Sequence, residues 1–175
     1  MTHTLPHLPA DSSGTMVETP DSEPIIRISR VFRAPRQLIW RCFTEPPHLA
    51  RFWGPRGVAI RVTVDLQAGG VWLTEWTYPD RKTFTFSSIY LDIRAPERFV
   101  YRDCPVGWAG PIAELPTPRT VTTVSLAGAG PDTEVSVLVQ FQTIAERDGD
   151  VKRGFATTVA TGFNRLADQL LEMGA

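Results

Sequence analysis

Histidine is scarce in this 175-residue chain: there are three, and His3 and His7 fall within the first ten residues, leaving His48 alone in the part that can fold. A His-based triad and a zinc site with two or more His therefore lack their residues. The two cysteines, Cys42 and Cys104, form no C-x-x-C pair, which removes zinc ribbons and thioredoxin-like motifs. Isolated cysteines of this kind fit a reducing compartment as small buried apolar residues, with a bridge between them left open. There is no Walker A loop and no Gly-x-Gly-x-x-Gly, which argues against the common nucleotide folds. No segment approaches the roughly 18 continuous apolar residues of a membrane span, so a soluble, cytoplasmic protein is expected. Charge of one sign is missing too: 18 Lys plus Arg against 19 Asp plus Glu give −1, and bulk electrostatics make no case for nucleic acid or an anionic membrane. No metal or other cofactor is expected.

What is present is a globular composition, 42% hydrophobic and 10% aromatic. A chain of this length buries roughly 70% of its unfolded surface, enough for one sizeable core. Residues 1–24 stand apart. They carry four Pro, the acids Asp11, Glu18, Asp21 and Glu23, and no Lys, Arg or aromatic residue. Such a segment cannot offset its ordering entropy by burial and is expected to be a disordered tail, followed by one domain over 25–175.

The domain opens on IIRISRVF, Ile25 to Phe32, a strand with Ile26, Ile28 and Phe32 on one side. Ala34-Pro35 stops it and starts a helix with Leu38, Ile39, Cys42 and Phe43 at helical spacing. Pro46-Pro47 breaks that helix and begins a second short one, ended by Gly54-Pro55. The period then switches to two, and strands are expected near 58–66, 71–78, 82–94, 98–103, 119–126 and 133–143, with turns at Gly69-Gly70, Pro79-Asp80, Ala95-Pro96-Glu97 and 128–132. From Val151 to Met173, Phe155, Val159, Phe163, Leu166, Leu170 and Met173 recur every three or four residues, predicting one long amphipathic helix. Its apolar face needs a large partner, and a curved sheet is the one available. The expected class is α+β, a curved antiparallel sheet gripping a C-terminal helix.

Neighbouring strands carry aromatic stripes. Trp72, Thr74, Trp76 and Tyr78 share one parity; Phe84, Phe86, Ser88, Tyr90 and Asp92 share another; Phe99, Tyr101 and Asp103 follow. Facing the same way, they form an aromatic wall with hydroxyls and carboxylates between, which suits an apolar pocket with a few orienting polar groups. A register slip or bulge would exchange the faces and bring Glu75 inward in place of Trp76. The expected ligand lining is Trp72, Trp76, Tyr78, Phe86, Tyr90, Tyr101, Phe155, Val159 and Phe163. Trp108 is placed at the mouth, within the Pro- and Gly-rich stretch 104–118 that could act as a lid. Asp92, Asp103 and Glu75 are the carboxylates that could serve as acids if desolvated.

The segment VFRAPRQLIWRCFTEPPHLARFWGP, Val31 to Pro55, resembles the opening of the activator of heat-shock protein 90 ATPase homologue family in its Ala-Pro, its Trp-bearing helix, its Thr-x-Pro and its Trp-Gly-Pro. DLQAGGVW (65–72), APERFVY (95–101) and TGFNRLADQL (161–170) match further pieces in order. Gly162-Phe163 stands where the family has Gly-Trp, and the hairpin Pro79-Asp80-Arg81-Lys82 lacks the expected glycine. The resemblance implies the START-like (SRPBCC, Bet v 1-like) superfamily, with a helix-grip fold and a deep cavity between sheet and long helix.

Relatives in that superfamily include lipid carriers, hormone receptors, polyketide cyclases and co-chaperone domains, so the fold leaves function open. The first expectation is binding of a hydrophobic small molecule, lipid or polyketide-like aromatic, without catalysis. The alternatives are a cyclase- or dehydratase-like enzyme using a pocket carboxylate or Tyr, and a chaperone-interaction module. A homodimer is compatible with a domain of this size, though no stripe is spare for an interface.

Overall fold

The computed structural model describes residues 14–105, 120–128 and 130–175. Among these residues eight strands form one antiparallel sheet: β1 (Met16–Glu18), β2 (Ile25–Phe32), β3 (Ala59–Val64), β4 (Val71–Thr77), β5 (Thr83–Arg94), β6 (Arg98–Asp103), β7 (Thr120–Ala127) and β8 (Thr133–Phe141). Their spatial order is β1-β2-β8-β7-β6-β5-β4-β3, a meander from β3 to β8 closed by β2 against β8. The helices are α1 (Arg36–Thr44), α2 (Pro46–Phe52), α3 (Ile144–Lys152) and α4 (Phe155–Glu172). This is the helix-grip arrangement expected from the sequence.

The strand parities place the core. Ile26, Ile28 and Phe32 of β2, and Val135, Val137 and Val139 of β8, are all buried on the face that α4 covers. Phe163 meets Phe32 edge-on at 5.5 Å, which docks the helix on the sheet. α1 covers the neighbouring part of the same face, with Trp40 and Phe43 packed on Phe99 of β6. Thr133 Oγ1 donates to Ala34 O at 2.8 Å, tying the turn before α1 to β8.

Three features differ from the sequence expectation. The segment 1–24 is not uniformly without structure: Met16–Glu18 pairs with β2, and Phe141 N donates to Pro24 O at 2.8 Å. The edge groups of β2 need partners, and a short strand supplies them. Arg147, 5% exposed, donates to Glu23 O at 2.8 Å and to Pro20 O, fixing the chain that leads into β2.

The expected single helix over 151–173 is also two helices, because Gly154 adopts φ 81 between them. Thr143 caps α3 by accepting from Glu146 N at 3.2 Å, while Glu146 Oε2 accepts from Gln142 N at 3.1 Å. A Thr-x-x-Glu capping pattern was thus present in the sequence ahead of the apolar stripe.

The third difference is a bulge in β5. Tyr90 pairs with Tyr101 but Asp92 with Val100, so Leu91 is extra. Parity inverts there, Ile93 opposite Phe99 turns inward, and Asp92 turns outward to Arg98 and Arg94.

Candidate functional site: a cavity between the sheet and the C-terminal helices

Between the meander and α4 lies a cavity of about 280 Å³. The register builds its floor. Trp72 faces Ser88 and Thr74 faces Phe86 across β4 and β5; Ser88 faces Asp103 across β5 and β6; Tyr101 faces Thr122, which in turn faces Val139 of β8. All of these line the cavity, together with Trp76 and Thr120. The roof is one helix stripe, Phe155, Thr158, Val159 and Gly162 of α4, with Asp150 from α3 and with Trp53 and Gly54 following α2.

The aromatic lining has two groups of touching rings. Trp53 and Trp72 lie 5.5 Å apart, Trp72 and Tyr101 5.3 Å, and Trp76 and Phe86 4.3 Å. Gly54 has φ +106, and a Cβ there would come within 2.7 Å of Ile60 Cδ1 and 3.2 Å of the Trp76 indole. Only glycine lets the chain pass so close to that ring.

A few polar groups interrupt the apolar lining. Ser88 Oγ donates to Asp103 Oδ1 at 2.7 Å. Asp103, as a residue, is exposed at the end of β6, yet protein crowds its carboxyl: burial raises its pKa above the usual carboxylate value, and the Ser88 hydrogen bond opposes part of that rise. Burial likewise raises the Tyr101 hydroxyl, helped by the nearby Asp103 charge and opposed by its hydrogen bond with Thr122. Asp150 is bound by Arg153.

The shift at Asp103 has a sign. The folded protein holds this proton more tightly than the unfolded chain, so the group favours folding fully at pH values below its unfolded pKa of 3.8. That contribution is lost as pH rises through the folded pKa. Asp103→Asn is expected to flatten the part of the stability–pH curve that falls above 3.8. Urea midpoints measured across that range, compared with the parent, check it; parallel curves would refute it.

Of the residues expected to line a ligand site, Trp72, Trp76, Phe86, Tyr101, Phe155 and Val159 surround this cavity. Three others lie elsewhere. Tyr78 sits at the β4–β5 hairpin against Phe84, 5.7 Å away, in a separate surface depression with Pro79, Asp80 and Lys82. Tyr90 is fully buried on Phe99 at 5.9 Å, where the rings of α1 already fill the sheet's concave face. Phe163 turns past the cavity stripe toward Phe32. Trp108 and the stretch 106–118 lie outside the described residues.

Among the carboxylates, Asp103 faces the cavity. Glu75 points away toward Arg61 on β3, and Asp92, beyond the bulge, points away toward Arg98 and Arg94. His48 is also remote, between Glu45 and Gln169 at 3.4 Å each. Cys42 and Cys104 are unpaired; burial pushes the Cys42 thiol up to about 11. Sequence reasoning did not single out Trp53, Gly54, Thr120, Thr122 or Thr158. Thr120, Thr122 and Val139 were recoverable by carrying the parity of Tyr101 across two more strands.

Among the described residues no cluster of three or more His, Cys, Asp or Glu could hold a metal ion, and no helix is long and apolar enough to cross a membrane. No curated protein matches the chain. Solved structures do. A Mycobacterium smegmatis crystal structure superposes with a TM-score of 0.76 at 18% identity, covering 90% of this chain and 97% of that one. A Nitrosomonas europaea crystal structure gives 0.75 at 22% identity, covering 87% and 97%. A Rhodobacter sphaeroides crystal structure gives 0.76 at 20% identity, covering 90% and 98%. At these identities the likeness is one of fold. Membership comes from the family model, which matches residues 33–174. Its ends enclose α1 to α4 and every strand from β3 to β8, so the chain belongs to the family described as Activator of Hsp90 ATPase homolog 1-like protein.

Proposed function

We propose that the protein binds a small, largely apolar molecule in the cavity between the sheet and α4. The observation that carries this is open volume lined by Trp53, Trp72, Trp76, Phe86, Tyr101 and Phe155, with a few hydroxyls and two carboxylates among them. A solid core would have filled that space with side chains.

Size refines the ligand class. At about 280 Å³ the cavity is roughly twice the 150 Å³ space that holds benzene. That volume favours a one- or two-ring compound over a long acyl chain. The six aromatic side chains suit flat rings for the same reason that aromatic pairs stack or meet edge-on.

Native mass spectrometry of the intact protein, followed by solvent extraction, is expected to find a small organic molecule or to show uptake of an added bicyclic probe. Thr158→Trp supplies the control. Thr158 is exposed on α4 but lines the cavity, so an indole there plugs the space without disturbing the core. Binding of a naphthalene probe should weaken by about tenfold or more, which is about 1.4 kcal/mol, with little loss of stability. Unchanged affinity in a folded Thr158→Trp protein would place the ligand elsewhere.

One observation favours a second reading, a cyclase- or dehydratase-like enzyme. Asp103 faces the cavity beside Ser88 with its acid form favoured, as a proton donor to a bound carbonyl would require. Conversion of a bound substrate by the parent, with binding but no conversion in Asp103→Asn, would support it.

A further inference from the structure

The charge inside the cavity is one-sided. Its described lining includes two carboxylates, Asp103 and Asp150, and no Lys, Arg or His. Asp150 is neutralised by Arg153. Asp103 is different: its partner is the Ser88 hydroxyl, and no basic group lies within ion-pair distance of it among the described residues. Elsewhere the abundant arginines pair readily with acids, as in Arg98 with Asp92, Arg36 with Glu97 and Arg51 with Glu172. A carboxylate drawn into a crowded site without a counter-cation is costly, and a ligand that supplies the cation removes that cost.

The rings point the same way. Aromatic faces attract cations through their quadrupoles, and the attraction grows as water is excluded. Trp72 and Tyr101 lie 5.3 Å apart, Trp72 directly opposite Ser88, the partner of Asp103, and Tyr101 two residues before Asp103 on β6. Trp72 and Tyr101 are each 5% exposed, so water is largely excluded from both rings.

We propose that the cavity selects a small aromatic amine in its protonated form, with the ammonium held at Asp103 among the Trp72 and Tyr101 rings and the aromatic body against Trp76, Phe86 and Phe155. The inference rests on the cavity being the binding site, and it predicts that carboxylate and phosphate ligands are rejected.

Three probes of one shape test it by isothermal titration calorimetry on the full chain: naphthylmethylamine, naphthylmethanol and naphthoate. The amine should bind about tenfold tighter than the alcohol, and naphthoate more weakly than either. Raised salt should narrow the gap between amine and alcohol in the unmodified protein. In Asp103→Asn the amine should lose its roughly tenfold advantage over the alcohol, read as the ratio of the two affinities within the same variant. If the alcohol binds and the amine binds no tighter, or if naphthoate binds best, the charge selection is overturned while the cavity reading stands. If none of the three binds, both fall.

Discussion

Replacing Phe99 by alanine is expected to destabilise the protein by about 3–5 kcal/mol, the range for removing a large buried ring. Phe99 is 1% exposed and touches four other rings: Trp40 at 5.8 Å, Tyr90 at 5.9 Å, Phe43 at 6.1 Å and Tyr101 at 6.2 Å. Two of these come from α1 and two from the sheet, so the ring is the join between those layers. Its neighbours are backbone-anchored on both sides and cannot collapse into the hole, which puts the cost toward the upper part of the range.

The deletion should also reach the ligand site. Tyr101 stacks on Phe99 and forms the next contact to Trp72, so losing Phe99 frees the cavity floor to shift. Equilibrium urea unfolding measures the first effect. Phe84→Ala provides the comparison, since Phe84 is 44% exposed at a hairpin and its loss should cost no more than about 1 kcal/mol. Equal losses in the two variants would show that Phe99 is not the join described here.

The contrast between these two phenylalanines illustrates what the sequence could and could not say. Both sit on strands at positions of the inward parity, and alternation alone treats them alike. What separates them is cover: α1 lies over β6 at Phe99, whereas Phe84 at the tip of the β4–β5 hairpin is 44% exposed and meets Tyr78 of the same hairpin. Periodicity reports which face a side chain takes, and not how far along the strand that face is covered. Hence Trp72, Trp76, Phe86 and Tyr101 were legible as cavity lining, whereas Tyr78 fell beyond its end and Tyr90 beneath α1.

Asp92 was misplaced for a different reason. An inserted Leu91 shifts parity by one, and nothing in TFTFSSIYLDIR marks the insertion, because Leu91 and Ile93 are equally acceptable strand residues. The split of the last helix, by contrast, had visible signals in Thr143-x-x-Glu146 and Gly154. Val151 lies four residues before Phe155 and fits the spacing of the apolar stripe, so periodicity alone runs the two helices together. The strand at Met16–Glu18 had none: its stability is borrowed from the edge of β2, a tertiary effect that local composition does not carry.

Arg165→Met is expected to cost about 2–4 kcal/mol and to loosen the cavity roof, two effects with a common origin. From α4, the Arg165 guanidinium donates through Nη2 to the carbonyl oxygens of Phe52 and Gly54. Phe52 is the last residue of α2, whose terminal carbonyls have no partner within the helix, and a cation there also complements the helix dipole. The helices can come this close because of Gly162, three residues earlier, where an added Cβ would lie 3.4 Å from Phe52 O. Methionine keeps most of the stem's volume and removes every donor, so it leaves two carbonyls without a hydrogen bond and creates little void. Lysine should restore only part of the loss: its ammonium carries enough hydrogens for both carbonyls, but it is a strongly hydrated point charge on a flexible stem, whereas the guanidinium is planar and pre-organised. The consequence for binding follows from what those carbonyls belong to. Trp53 and Gly54 line the cavity, and Gly54 abuts the Trp76 indole, so a released segment no longer holds either ring in place. Urea unfolding of the parent, Arg165→Lys and Arg165→Met should rank in that order of stability, and affinity for naphthylmethanol should follow the same order. A methionine variant as stable and as tight as the parent would show that the arginine merely lies against α2 and does not hold it.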